Sequence, residues 1–110
     1  MGVESSAPWR APERWDGAIV HAVWLKGSIV VDHDSREMRK DACTAWIRRG
    51  DYGRLDSNFG WTIDHIRPPS RGGTDDLDNL QPMHVENSAS RKDGIGNCPV
   101  RARGDKNVRH

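Results

Sequence analysis

An acid and a histidine stand side by side at Asp64 and His65, within a short run, Trp61-Thr62-Ile63-Asp64-His65-Ile66, that alternates branched and aromatic residues as a strand does. The two side chains suit complementary tasks. An imidazole with an ordinary pKa of about 6.5 is neutral enough at cellular pH to take a proton from water. A carboxylate supplies the oxygen donor that a hard divalent cation prefers. Arg67, Arg71, Arg91 and Lys92 surround this stretch. Guanidinium forks match phosphate oxygens, and an ammonium acts as a point charge. A base, a cation ligand and phosphate contacts are the parts a hydrolytic site for phosphate esters needs.

The elements that must position these groups run from Gly60 to Asp93. Pro68-Pro69 and Arg71-Gly72-Gly73-Thr74 end the first strand and predict a turn-rich loop. Asp75, Asp76 and Asp78 in that loop read as turn and solubility residues. A second run, Asn79-Leu80-Gln81, leads through Pro82 into a helix-compatible segment, His84 to Lys92. Successive strand side chains point to opposite faces, so Asp64 and His65 share one cleft only if the strand twists or bulges.

The string Trp61-x-x-Asp64-His65-Ile66-x-Pro68, then Ser70-Arg71-Gly72-Gly73-Thr74-Asp75-Asp76, then Asp78-Asn79-Leu80-Gln81-Pro82 resembles the HNH nucleases, whose fold is called ββα-metal. Arg39-Lys40-Asp41-Ala42-Cys43, Ala45-Trp46-Ile47 and Asp51-Tyr52-Gly53 are similar to a group of small bacterial and phage HNH proteins. The resemblance covers roughly Trp15 to Asp93. It implies an α+β fold with a small ββα-metal core and an N-terminal helical and strand extension. It further implies an endonuclease that hydrolyses DNA phosphodiester bonds, with His65 and Asn79 as its catalytic set. His65 would activate water, and Asn79, fourteen residues later, would tie the histidine loop through its amide.

The resemblance also implies one divalent cation, with Mg²⁺ the first expectation and Mn²⁺, Ni²⁺ or Zn²⁺ as alternatives. Asp64 is its first ligand. The family's last position, nine residues after Asn79, is Ser88 here, and Asn87 precedes it, where relatives read Glu-Asn-Asn. One residue is about 100° of helix rotation, so Asn87 and Ser88 cannot share a direction. Both are held as metal candidates, with His84, one turn before Ser88, as an auxiliary. Arg67, Arg71, Arg91 and Lys92 would contact the DNA backbone, which positions a duplex without reading its bases. The alternative reading is an HNH-fold nucleic-acid-binding module with weakened catalysis, because the third ligand position is Ser88.

At 110 residues, with 35% hydrophobic and 30% charged residues, the chain predicts one polar domain with a small core. Five tryptophans are expected to supply much of that core or of a ligand-facing surface. The net charge of +1 does not by itself suggest nucleic acid. From Arg91 onward, however, six Lys or Arg stand against two acids. Cys43 and Cys98 each lack a nearby second cysteine, so they predict no zinc knuckle and read as reduced, packed thiols. No apolar run approaches membrane-spanning length and no signal peptide is evident, which predicts an intracellular, cytoplasmic protein. Homodimer formation is left open.

The predicted organisation is a flexible arm over 1–14, the HNH domain over 15–95 with its core at 60–93, and a flexible basic tail over 96–110. Trp9 in the arm is expected to dock on the body. Asp16 is expected to cap a helix that ends near Gly27. Ser28 to Val31 reads as a β-like run, Arg36 to Asp41 as a solvated connection and Thr44 to Arg49 as a strand. Asp32-His33-Asp34 holds ligand types, but adjacent residues in a polar turn seldom converge on one ion.

Overall fold

Asp16 starts the first helix by accepting a hydrogen bond from the Ile19 N–H at 2.9 Å. The helix, α1, runs Gly17–Trp24 and buries Val20, Val23 and Trp24 on one face, as the apolar spacing predicts. Gly27 then turns the chain, its N–H donating to the Trp24 carbonyl at 2.9 Å. The computed structural model in which these elements are seen describes residues 15–91 and 96–110. The predicted arm over 1–14, with Trp9, lies outside the described residues.

Strand β1 (Met38–Lys40) pairs antiparallel with β2 (Trp46–Arg48), Arg39 opposite Ile47. The expected solvated connection is thus a strand, and both Arg39 and Asp41 are buried. Arg39 tolerates burial because its guanidinium donates to the carbonyls of Ser35, Leu25 and Gly27. Of the β-like run 28–31, only Ser28 joins a ladder, through a bridge to Lys40, while Ile29 and Val31 are exposed. The His33 ring lies against Trp46 at 4.4 Å between centroids, so this histidine has a packing role.

Strand β3 (Trp61–His65) pairs antiparallel with β4 (Leu80–His84), placing Trp61 opposite His84 and His65 opposite Leu80. Pro82 lies within β4, which a two-stranded ribbon accepts because each strand is an edge. Helix α2 (Val85–Ser90) follows directly and completes a ββα unit. The β3 alternation is real: Trp61 and Ile63 are buried, whereas Thr62 and Asp64 are only partly covered. The core joins α1 to this unit through Val20, Val23, Trp24, Ile47, Trp61, Ile63 and Leu80. Trp24 and Tyr52 both pack on the Trp61 ring, at 5.4 and 5.0 Å between centroids.

The expected irregular tail is instead a hairpin, β5 (Val100–Arg103) with β6 (Lys106–Arg109). Its two-residue turn has Gly104 at φ 60°, the left-handed position a II′ turn assigns to glycine. Asn107 fastens the hairpin to β2, accepting from the Trp46 N–H at 2.7 Å and donating to the Trp46 carbonyl at 2.9 Å. The Ala102 N–H donates to the Thr44 carbonyl at 2.9 Å. Cys43 and Cys98, expected as separate thiols, form a disulfide across 55 residues of sequence. No local spacing announces such a bond, because tertiary pairing of the hairpin with β2 brings the two Cα atoms to 5.5 Å. Closing a loop of that length stabilises the fold by about 4 kcal/mol in the chain-entropy treatment. Among the described residues, no helix is long and apolar enough to cross a membrane.

Candidate functional site

The loop that leaves β3 is closed by one side chain. Asn79 accepts from the Arg67 N–H at 2.8 Å and donates to the carbonyls of Arg67 and Thr74 at 2.9 and 2.7 Å. Its own carbonyl accepts from the Ile66 N–H at 2.8 Å. The loop crosses itself closely at Gly73, where an added Cβ would lie 1.7 Å from the Arg67 carbonyl oxygen. No other residue fits that crossing. The Asn79 turn is tied in turn to α1, because the Lys26 ammonium donates to the carbonyls of Leu77 and Leu80 on either side of it. The anchor comes from about fifty residues away, so sequence reading did not find Lys26.

At the end of β3 the Asp64 and His65 side chains have different neighbours. His65, with its side chain only 14% exposed, places Nε2 at 2.7 Å from Oδ1 of Asp75. The Trp15 ring lies 6.0 Å from the imidazole centroid. Asp64 turns toward α2. Its Oδ1 accepts from the Ser88 hydroxyl at 3.2 Å, and its Oδ2 accepts from the Gln81 amide at 3.1 Å and from the Arg91 guanidinium. Arg91 also reaches the His65 and Ile66 carbonyls at 3.3 and 3.2 Å. This guanidinium, expected on phosphate, is therefore spent on the Asp64 carboxylate. Arg67 and Arg71 lie exposed on the loop. Lys92 lies outside the described residues.

Residues 54–86, which span β3, its loop and β4, match the model of the HNH endonuclease family. This stretch is HNH-like. Comparison with curated proteins and with solved structures finds no match. HNH proteins are typically nucleases that act on DNA with a divalent metal ion, and their fold is the ββα-metal unit. Strands β3 and β4 with α2 form that unit here, within a small α+β protein.

Of the metal candidates, the fold brings only Asp64 and Ser88 together. A carboxylate beside a hydroxyl fits a hard cation that keeps several of its waters. Among the described residues, no group of three or more His, Cys, Asp or Glu side chains could hold a metal ion. Asn87 faces the other way. It is fully buried, with Nδ2 donating to Asp41 at 3.1 Å and to the Val100 carbonyl at 2.9 Å. Its Oδ1 accepts from the Val100 N–H at 2.8 Å. With every polar atom used, Asn87 fastens β5 to the ββα unit and has nothing left for a cation.

His84, held as an auxiliary, has both ring nitrogens in hydrogen bonds within the protein. It sits at the junction of β4 and α2, fully buried, where Nδ1 accepts from the Glu86 N–H at 3.1 Å and caps the helix. Nε2 must then carry the proton it donates to the Asn58 carbonyl at 3.0 Å. Burial pushes the imidazole below its ordinary value of 6.5, against the opposing pull of that carbonyl and of the Glu86 and Asp41 carboxylates. A pH prediction follows with a definite sign. The unfolded state binds the proton more readily, so the His84 contribution is complete above about pH 6.5 and is lost as pH falls below it toward the depressed folded value. Urea midpoints measured from pH 8 down to 5 should decline in that window for the wild type. The slope should flatten in His84→Gln, and equal slopes would refute the assignment.

Proposed function

We propose that the chain is a divalent-metal-dependent endonuclease that hydrolyses DNA phosphodiester bonds. The observation that carries this reading is the closed loop of the HNH segment, in which Asn79 locks both ends of the turn beside His65. His65 takes a proton from the attacking water, and its nearly enclosed side chain limits the orientations it samples. The water oxygen bonds to phosphorus as the bond to the 3′ oxygen breaks, and that oxygen takes a proton from solvent, leaving a 5′-phosphate and a 3′-hydroxyl. Asp64 and Ser88 would hold the cation, for which Mg²⁺ is the first choice. When bound, that cation supplies positive charge for the phosphate and the leaving oxygen. Arg67 and Arg71, exposed on the loop, grip backbone phosphates and confer little sequence selectivity. One site per chain cuts one strand, so nicked circles precede linear plasmid.

A second reading, a DNA-binding module without cleavage, is favoured by one observation: Arg91 already places a cation on Asp64. A divalent ion and Arg91 compete for the same carboxylate, which makes weak metal affinity the expected property of this site. Supercoiled plasmid incubated with Mg²⁺, Mn²⁺, Ni²⁺ or Zn²⁺ tests both readings. Cleavage should require metal and stop with EDTA. Ser88→Asn should lower the half-activating metal concentration by about tenfold, the gain from one better-reaching oxygen ligand worth about 1.4 kcal/mol. Cleavage that survives EDTA would refute the metal requirement. Salt-sensitive DNA binding with no cleavage in any metal would establish the module instead.

A further inference from the structure

We infer that Asp75 is a positioning residue that fixes the tautomer and orientation of His65, an inference that rests on the nuclease reading for its catalytic consequence. Sequence alone makes Asp75 one of several loop acids. The fold separates it from Asp76 and Asp78 by placing its Oδ1 at 2.7 Å from Nε2 of His65. A carboxylate only accepts, so the hydrogen bond runs from Nε2–H to Asp75 and leaves the lone pair on Nδ1. Nδ1 is thereby specified as the nitrogen left to take a proton. The partner of one imidazole nitrogen decides what the other does, and a histidine with no such partner divides between two tautomers.

The backbone on both sides of the acceptor is held by Asn79. The carbonyl of Thr74, immediately before Asp75, accepts from Asn79 at 2.7 Å, and the carbonyl of Asp76, immediately after it, accepts from the Asn79 N–H at 2.8 Å. The Asp76 N–H also donates to the Thr74 hydroxyl at 3.3 Å. Asn79 therefore acts on His65 at two points, through the Arg67 end of the loop and through the residues that flank Asp75. The Trp15 ring is a further neighbour, its centroid 6.0 Å from that of the imidazole. The loop carries two structural messages to one side chain, and Asp75 delivers the one that selects a nitrogen.

The test uses the full chain in three forms: wild type, Asp75→Ala and Asp75→Asn. The alanine removes the acceptor, whereas the amide oxygen of asparagine can still take the Nε2 proton. Imidazole ¹⁵N spectra recorded above neutral pH, with the His65 signal assigned by its loss in His65→Ala, should show one Nε2–H tautomer in the wild type. Asp75→Ala should give a tautomer mixture, and Asp75→Asn should retain the wild-type pattern. In plasmid cleavage, Asp75→Ala should lower kcat by about 10- to 100-fold with little change in KM, as loss of a supporting hydrogen bond does. The Asp75 side chain is 58% exposed, so folding should be intact in all three, and matching urea midpoints verify this. An unchanged ¹⁵N pattern in Asp75→Ala, or an unchanged kcat, overturns the inference. If the wild type cleaves nothing, the nuclease reading fails by itself and the spectra still decide whether Asp75 sets the tautomer.

Discussion

His65→Ala should lower the rate of plasmid cleavage by about 10²- to 10⁴-fold, the range expected when a general base is removed from a positioned site. DNA affinity should change little, because the phosphate contacts assigned to Arg67 and Arg71 do not involve the imidazole. The loss should therefore fall on kcat, the pattern of an interaction made in the transition state alone. His65 also meets Asp75 and Trp15, so a fall in activity could follow from a disturbed loop. Stability separates these causes. The side chain contributes no atom to the apolar core, and its removal should leave the urea midpoint within about 1 kcal/mol of the wild type. A variant that folds normally and still cleaves at the wild-type rate would remove His65 from the mechanism. Cleavage should also differ between His65→Ala and Asn79→Ala in kind. The latter leaves the Arg67 N–H without its side-chain acceptor and should lose stability as well as rate.

The second large effect is on folding. Asp41→Ala should destabilise the protein by on the order of 3–5 kcal/mol, as removal of a buried, fully hydrogen-bonded charge does. Asp41 is 2% exposed, and its carboxylate collects four donors from three parts of the chain. Oδ1 accepts from the N–H groups of Cys43 and Ala45 at 2.9 and 2.8 Å. Oδ2 accepts from the His84 N–H at 2.9 Å and the Asn87 amide at 3.1 Å. One side chain thus joins the turn after β1 to the β4–α2 junction, where Asn87 continues the tie to β5. Alanine leaves four donors in a dry interior with no acceptor, and each orphan costs about 1–3 kcal/mol before any relaxation. Asparagine should restore only part of the loss, since its NH₂ must face either the two turn amides or the His84 and Asn87 donors. Fluorescence of buried Trp24, Trp46 and Trp61 during urea unfolding provides the measurement. A shift of less than about 1 kcal/mol for Asp41→Ala would mean that the four hydrogen bonds do not hold these segments together. Domains of this size are stable by about 5–15 kcal/mol, so the predicted loss approaches global unfolding.

His65 and Asp41 differ in how far the sequence reveals them. The linear string from Trp61 to Pro82 identifies the HNH segment because its signals are local: alternation on β3, a proline- and glycine-rich loop, and an asparagine at fixed spacing. The helix cap at Asp16 and the stop near Gly27 are local for the same reason, since capping satisfies backbone groups within three or four residues. Helical phase at α2 was legible as a choice without an answer. Rotation of about 100° per residue requires Asn87 and Ser88 to face apart, but only the docking of β5 decides that Asn87 turns to Val100 and Ser88 to Asp64.

By itself, then, the sequence determined the order of the ββα unit and the residue types at its heart, because hydrogen-bond patterns and side-chain periodicity act over a few neighbours. Tertiary structure alone decided which acid serves which partner. Asp41, in a charged run that reads as surface, became the buried hub, and Asp75, one of three loop acids, met His65. It also paired Cys43 with Cys98 and docked the hairpin of the basic end on β2 through Asn107 and Trp46. These outcomes depend on contacts across 10 residues, from His65 to Asp75, up to 61, from Trp46 to Asn107. At such separations the chain closes many loops at nearly equal entropic cost, and the contact that forms is selected by the packing and hydrogen bonding of the whole fold.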